Sequence, residues 1–332
     1  MPCAPTSRFF LSRDGIRLHV LAWCDAGGAG ASGRAPVVLL HGGGANAHWW
    51  DHVAESISRD QAVYALDFRG HGDSDHPAVR EVGAFNVDLE SLVDWLGRGD
   101  LVFVGHSLGA NVALDHASRY REPRGLILVD LARGGSPQTG RRARLALSLR
   151  RSYRTREEAI ERFRFLPESS HAREALRARI AAHSVREEAD GRFGYKFDPA
   201  WFTLPSRPPP QLEHVACPTL LVRGSESTLL TREAAETFVA RLPAARWVEI
   251  PEAGHHVMVD RPDRLVEAID AFLVGLDRSR TPKRADDLTS EALEERPDPG
   301  SSPSSGSSGT PIRRSDLRAP SRSGRRHREE PR

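Results

Sequence analysis

The segment Leu101-Val-Phe-Val-Gly-His-Ser-Leu-Gly109 constrains the fold of this chain more than any other stretch of its sequence. An apolar run typical of a buried strand leads into a Gly-x-Ser-x-Gly pattern, and a helix rich in small residues follows. Gly105 and Gly109 permit a turn from strand to helix that is too tight for larger side chains. Such a turn holds the hydroxyl of Ser107 out at the edge of a sheet, so the pattern predicts that Ser107 is a nucleophile.

Short apolar runs alternate with helix-like segments along much of the chain, which indicates a mainly parallel α/β sheet covered by helices. The runs are Val37–Leu40, Ala62–Leu66, Leu101–Val104, Leu126–Val129, Thr219–Val222 and Trp247–Ile250. Phe9–Leu11 and Arg17–Ala22 flank Asp14-Gly15 and predict an N-terminal hairpin. A last helix is expected to begin near Pro262, because Leu265, Ile269 and Phe272 repeat at helical spacing.

The alternation stops after the strand that ends at Asp130, and arginine-rich helical segments occupy residues 131–210. Thr155 with Glu158 is a capping-box start, and residues 172–182 form a second predicted helix. An insertion of this size after a core strand predicts a helical lid over the site. Its return through residues 191–201 and the Pro208–Pro210 run is expected to be an extended connector.

Composition argues for a globular protein that acts on small molecules. Among 332 residues, 47 basic and 45 acidic side chains give a net charge of +2, so neither a nucleic-acid nor a membrane partner is expected. Three scattered cysteines have no metal-type spacing, no signal-peptide core is present, and a cytoplasmic location is expected. Residues 278–332 are rich in Ser, Pro and Arg and predict a disordered tail, while the oligomeric state cannot be read from the sequence.

A second glycine-rich turn follows the run Val37-Val-Leu-Leu-His-Gly-Gly-Gly44. Without side chains, this loop can bring backbone N–H groups close to a reacting carbonyl. One N–H from Gly42 or Gly43, paired with the N–H of Leu108, would form an oxyanion hole.

A histidine in Ile250-Pro-Glu-Ala-Gly-His255 follows the last predicted strand. With the His-Gly-Gly-Gly loop and the Gly-His-Ser-Leu-Gly turn, the chain resembles an α/β-hydrolase of the serine-nucleophile branch, over about residues 8–277. The resemblance implies one catalytic domain over residues 1–277, His255 as general base, and no metal or organic cofactor. It implies a carboxylesterase-like hydrolase acting on an ester, lactone or thioester. Carbon–carbon bond hydrolases, cofactor-free haloperoxidases and non-catalytic receptors with the same fold are the alternatives.

The third member of the expected triad departs from the commonest pattern of that family. Its acid usually follows the penultimate strand, but Ser227 occupies that position and cannot supply a negative charge. Two carboxylates remain: Asp130, which directly follows the strand after the nucleophile helix, and Glu226 as the alternative. Because the carboxyl ends of parallel strands gather the polar groups of an α/β site, Asp130 is favoured. Residues near the two glycine turns, namely His48, Trp49 and His106, are candidates for the substrate pocket.

Overall fold

The strands of this chain build one large sheet and one small one. The computed structural model describes residues 4–24, 34–120, 123–135, 137–169, 171–205 and 208–278. The strands are β1 (Thr6–Leu11), β2 (Arg17–Trp23), β3 (Val37–Leu40), β4 (Val63–Asp67), β5 (Val102–His106), β6 (Gly125–Val129), β7 (Val185–Glu187), β8 (Phe193–Tyr195), β9 (Thr219–Gly224) and β10 (Ala245–Ile250). The large sheet has the order β1-β2-β4-β3-β5-β6-β9-β10. β1 pairs antiparallel with β2, and β2 with β4, whereas the remaining neighbours are parallel.

Helices cover both faces of the large sheet. They are α1 (Asp51–Ile57), α2 (Ala84–Leu96), α3 (Leu108–Arg119), α4 (Pro137–Ser148), α5 (Arg156–Glu161), α6 (Glu174–Ser184), α7 (Arg232–Val239), α8 (Val257–Asp260) and α9 (Pro262–Arg278). Short 3-10 helices span Ala47–Trp50, Pro199–Thr203 and Leu212–His214. Among the described helices, none combines the length and apolar character that crossing a bilayer requires.

The continuous apolar character of the central strands follows from this double covering. In β3, Val37 and Leu39 pack with α1 and α9 on one face, whereas Val38 and Leu40 pack with α2, α3 and α7 on the other. Alternate residues of a strand point to opposite faces, so a strand buried on both sides needs an unbroken apolar run. The predicted fold class is confirmed, and so are the N-terminal hairpin and the last helix from Pro262.

Residues 131–210, inserted after β6, contain α4, α5, α6 and the antiparallel pair β7 and β8. The predicted helix start is confirmed, because the hydroxyl of Thr155 accepts the N–H of Glu158 at 3.1 Å, while the Glu158 carboxylate accepts the N–H of Arg154 rather than that of Thr155. The expected extended connector over residues 191–201 is wrong. Phe193–Tyr195 instead pairs with Val185–Glu187, and the Asp198 side chain caps the 3-10 helix that begins at Pro199. The predicted disordered tail, except Arg278 at the end of α9, lies outside the described residues.

Candidate active site

The turn between β5 and α3 holds Ser107 at a backbone φ of +49° and ψ of −106°. A Cβ on Gly105 would lie 2.5 Å from the carbonyl of Gly109, and one on Gly109 would lie 2.3 Å from the carbonyl oxygen of Leu40. Both positions therefore require glycine for this turn to close. The Ser107 N–H donates to the carbonyl of Val129 at 3.1 Å, which fixes the strained residue to the neighbouring strand β6.

The glycine loop after β3 packs directly against this turn. The N–H of Gly109 donates to the carbonyl of His41 at 3.1 Å, and a Cβ on Gly42 would lie 3.5 Å from the Cβ of Ser107. Leu108 is the first residue of α3, where backbone N–H groups have no acceptor within the helix. The structure thus brings the backbone of Gly42 next to Ser107, which directly precedes Leu108.

The ring of His41 fixes the path of the glycine loop. Its Nε2 accepts the N–H of Phe68 at 3.1 Å, so the proton is on Nδ1, which donates to the carbonyl of Gly42 at 2.8 Å. Burial lowers the pKa of His41, in agreement with a neutral ring. The side chain that precedes the predicted oxyanion loop therefore holds that loop in position.

His255 and Asp130 are in direct contact at the carboxyl edge of the sheet. Nδ1 of His255 lies 2.7 Å from Oδ1 of Asp130, and both side chains are buried. Because Nδ1–H donates to the carboxylate, Nε2 of His255 is left as the proton acceptor. Asp130 itself has a φ of +44°, and its other oxygen accepts the N–H of Gly224 at 3.0 Å. The end of β9 thus fixes the carboxylate from the side opposite the imidazole.

Ser227 supports the acid from the position where relatives of this kind usually carry it. Its hydroxyl donates to Oδ1 of Asp130 at 2.6 Å, while it accepts the N–H groups of Leu229 and Leu230. Glu226, the alternative acid, has a half-exposed side chain and contacts Nε2 of His171 at 2.9 Å. The geometry therefore favours Asp130 over Glu226. The sequence shows Ser227 only as the absence of an acid, because its contact with Asp130 depends on β6 and β9 being neighbours in the sheet.

His106 lies in the core behind the site and not on a pocket wall. Its side chain is 1% exposed, and its Nε2–H donates to the carbonyl of His255 at 3.0 Å. The two imidazole centroids are 4.7 Å apart. Burial and the neighbouring rings of His255 and His256 hold the pKa of His106 well below its usual value. A neutral His106 therefore joins the nucleophile turn to the loop that carries His255.

The other two predicted pocket residues lie where the inserted segment meets the sheet domain. The ring of His48 stacks on His183 of α6 with centroids 3.9 Å apart, and its Nδ1 lies 3.1 Å from Asp51. Trp49 is buried, and its indole N–H donates to the hydroxyl of Ser184 at 3.3 Å. Both side chains therefore fasten the insertion to the segment that follows the glycine loop.

The inserted segment covers the glycine loop with apolar side chains. A Cβ on Gly43 would lie 2.7 Å from the ring of Phe202, and one on Gly44 would lie 2.8 Å from Leu147. A groove of about 560 Å³ runs alongside, with Leu108, Phe202 and Phe85 among its lining residues. The sequence did not predict this groove, because its walls come from segments far apart in the chain.

Comparison with known proteins agrees with this architecture. The sequence matches the alpha/beta hydrolase family over residues 37–268. The sn-1-specific diacylglycerol lipase ABHD11 of Mus musculus is 27% identical over 250 residues, which cover 71% of this chain and 80% of the lipase. An esterase of Mycobacterium tuberculosis is 29% identical over 263 residues, covering 73% of this chain and 84% of the esterase.

A solved alpha/beta hydrolase from Novosphingobium aromaticivorans has the same fold. Its TM-score is 0.68 at 26% identity, and the match covers 82% of this chain and 98% of that protein. The family match extends from β3, which precedes the glycine loop, into α9 after His255, and so spans every proposed catalytic residue. The chain belongs to the alpha/beta hydrolase family.

Proposed function

We propose that the protein is a serine hydrolase that cleaves a carboxylic ester, lactone or thioester of a small molecule. The observation that carries the proposal is the 2.7 Å contact between His255 and Asp130 at the sheet edge that presents Ser107. In the proposed reaction, Nε2 of His255 takes the proton of the Ser107 hydroxyl as its oxygen attacks the carbonyl carbon. Asp130 keeps the imidazole in the required tautomer and stabilises its cation.

Backbone N–H groups of the glycine loop and of α3 supply the hydrogen bonds that stabilise the negative charge of the intermediate. The N–H groups of Leu108 and of Gly42 or Gly43 would donate to the oxygen that becomes negative in the tetrahedral intermediate, each contributing about 3 kcal/mol. His255 then returns its proton to the leaving group, and an acyl-enzyme forms on Ser107. Water, deprotonated by His255, then attacks the acyl carbon; the bond from that carbon to the Ser107 oxygen breaks, and His255 returns the proton to Ser107 as the acid product leaves.

Names of relatives support the ester class within a fold that hosts many reactions. The Mus musculus protein is named a diacylglycerol lipase and the Mycobacterium tuberculosis protein an esterase. A further relative from Nitrosomonas europaea, 28% identical over 255 residues, is named a pimeloyl-[acyl-carrier protein] methyl ester esterase. We therefore take carboxylic esters as the first class of substrate to test.

Ser107→Ala is the decisive variant, and Ser118→Ala is its matched control, because Ser118 lies later on α3 with its hydroxyl bonded to the carbonyl of Asp115. A fluorophosphonate is expected to label the wild type and Ser118→Ala but not Ser107→Ala. Turnover of p-nitrophenyl butyrate should fall at least about 1,000-fold in Ser107→Ala only. If Ser107→Ala turns over the ester as fast as the wild type, the mechanism is contradicted. If the wild type binds p-nitrophenyl butyrate but does not hydrolyse it, the receptor alternative is identified.

A further inference from the structure

A basic cavity that the proposed mechanism does not use lies between the inserted segment and residues 76–80 of the sheet domain. The cavity has a volume of about 190 Å³ and lies beside the β7–β8 hairpin. Its charged lining consists of Arg80, Arg150, Arg151, Arg186, Glu188 and Asp198. Arginines therefore outnumber carboxylates by two in a space that is partly shielded from water.

Both carboxylates of the cavity are already paired. Asp198 accepts Nε of Arg80 at 2.5 Å, and Glu188 accepts the guanidinium of Arg150. Within the part of the chain that the structure describes, no carboxylate lies within ion-pair distance of Arg151 or Arg186. The excess positive charge of the lining is thus located on these two arginines.

The contacts of Arg186 show how poorly its charge is compensated. Its side chain is half-buried, and Nη1 donates to Nε2 of His76 at 2.8 Å. Burial and the nearby Arg186 lower the pKa of His76 to about 4, so this partner is a neutral ring. Burial lowers the pKa of Arg186, the nearby Glu188 partly opposes this shift, and Arg150 adds to it. Withdrawing a cation from water beside carboxylates that already pair with other arginines is unfavourable, and an anion between the guanidinium groups would reduce this cost.

We infer that this cavity binds an oxyanion, a phosphate or a carboxylate, between Arg151 and Arg186. Planar guanidinium groups match the oxygen spacing of both anions and bind them with paired hydrogen bonds. Phe197 lines the cavity, and its ring also lies 3.6 Å from the position that a Cβ on Gly44 would take. The site is therefore separated from the glycine loop by one aromatic ring, where its occupant can be a free anion or the charged end of a substrate.

Calorimetric titration of the full-length protein with inorganic phosphate, at constant ionic strength, tests the site. Arg186→Gln is expected to weaken phosphate binding at least about tenfold, because charge-assisted hydrogen bonds are lost. Arg192→Gln is the matched control. Arg192 is exposed in the same insertion, where it bonds to Ser152, and it does not line the cavity.

Arg151→Gln is a second test that leaves the contact between Arg186 and His76 intact. It should also weaken phosphate binding while the circular dichroism and melting temperature stay at wild-type values. Absence of phosphate binding by the wild type, or equal binding by the Arg151→Gln/Arg186→Gln double variant, overturns the inference.

A kinetic comparison, which rests on the proposed ester hydrolysis, identifies the source of the oxyanion. The probes are p-nitrophenyl butyrate and p-nitrophenyl hemisuccinate, whose acyl chains have the same length but differ in a terminal carboxylate. A loss of kcat/KM in Arg186→Gln of about tenfold for the hemisuccinate alone shows that the substrate carries the anion. If Arg186→Gln has the kcat/KM of the wild type for both esters but binds phosphate more weakly, the occupant of the cavity is a free anion. If neither ester is cleaved by the wild type while phosphate still binds, the proposed function fails and the site stands.

Discussion

The catalytic edge of the sheet, which comprises the turn from β5 to α3 and Asp130 after β6 and is here called the elbow, and the segment inserted after β6 are held in place by different kinds of contact. At the elbow, backbone N–H groups of Ser107, Gly109 and Asp130 donate to carbonyls of neighbouring strands and loops. The inserted segment instead contacts the glycine loop and the residues after it through side chains, such as Phe202 against Gly43 and the Ser184 hydroxyl bonded to Trp49. The insertion also joins the domain through backbone, at the bridge between Phe197 and His71.

We infer from this difference that the catalytic reaction depends on the sheet edge, whereas the choice of substrate depends on the inserted segment. Backbone-held geometry depends on glycine positions and strand register, so it tolerates little change in sequence. Side-chain-held geometry can be altered one residue at a time without disturbing the sheet. We therefore expect variants at the sheet edge to reduce turnover strongly and variants in the insertion to alter binding or stability.

The largest effect is expected from Asp130→Asn, which removes the charge beside His255. The amide can donate to Nδ1, which places the proton on Nε2 and blocks its role as a base. In a well-studied serine protease the same change lowers kcat about 10,000-fold, and a loss of that order is expected here. Ester hydrolysis by Glu226→Gln, measured in parallel, should equal the wild type. The reverse result would make Glu226 the acid.

The next largest effect is expected on folding stability at acidic pH, through a histidine that joins the sheet domain to the inserted segment. His256 is buried, and its Nε2–H donates to the carbonyl of Pro167 in the insertion at 3.0 Å. Burial, followed by the nearby His255, lowers its pKa from the ordinary value of 6.5 to about 3. The unfolded chain therefore binds a proton between these pH values that the folded chain does not, so folding stability falls as pH falls below about 6.5.

His256→Gln removes the loss of folding stability at acidic pH that protonation of His256 causes, and its amide N–H can still donate to the carbonyl of Pro167. Between pH 7 and pH 4, the wild type should lose about 3 kcal/mol more unfolding free energy than the variant, from this group alone. Urea unfolding at the two pH values measures the difference. His171→Gln, at a partly exposed histidine paired with Glu226, is the control and should keep the acid sensitivity of the wild type. Equal acid sensitivity of His256→Gln and the wild type contradicts the assignment.

A smaller effect is expected from Ser227→Ala at the sheet edge. The variant loses the hydroxyl that donates to Asp130 and leaves the N–H groups of Leu229 and Leu230 without that acceptor. Loss of one buried hydrogen bond to a charged group predicts a fall in kcat of about tenfold. Ser225→Ala, two residues earlier, where the hydroxyl accepts the N–H of Glu252, should leave kcat unchanged. A wild-type kcat in Ser227→Ala would show that Asp130 needs no such support.

The smallest effect is expected from Phe202→Ala in the insertion. Removing the ring from above Gly43 takes away apolar contact surface but no reacting group. KM for p-nitrophenyl butyrate should rise about fivefold with little change in kcat, as for an interaction equally strong in the ground and transition states. Leu145→Ala, at a side chain that is 60% exposed on α4, provides the baseline. A fall in kcat as large as that of Asp130→Asn would show that the inserted segment contributes to turnover as much as the sheet edge does.

The parts of the site that the sequence predicted are those defined by local geometry. Gly105 and Gly109 both meet backbone atoms within 2.5 Å of where a Cβ would be, so the pattern around Ser107 can form only one kind of turn. The hairpin at Asp14-Gly15 and the helix from Pro262 were predictable for the same reason, because a few adjacent residues decide each conformation.

The parts that the sequence left open depend on residues far apart in the chain. Asp130 and Ser227 meet only because β6 and β9 are neighbours in the sheet, which no local pattern reveals. His106 was expected in a pocket because it adjoins Ser107, but strand alternation turns its ring inward to the carbonyl of His255. The β7–β8 hairpin is three residues per strand, too short for alternation to distinguish it from a loop.

The 2.6 Å contact between Ser227 and Asp130 limits where this chain can carry the acid of its proposed triad. Ser227→Asp would set a second carboxylate against the first, and like charges at that distance cannot both remain ionised. The two placements of the acid therefore exclude each other in one chain.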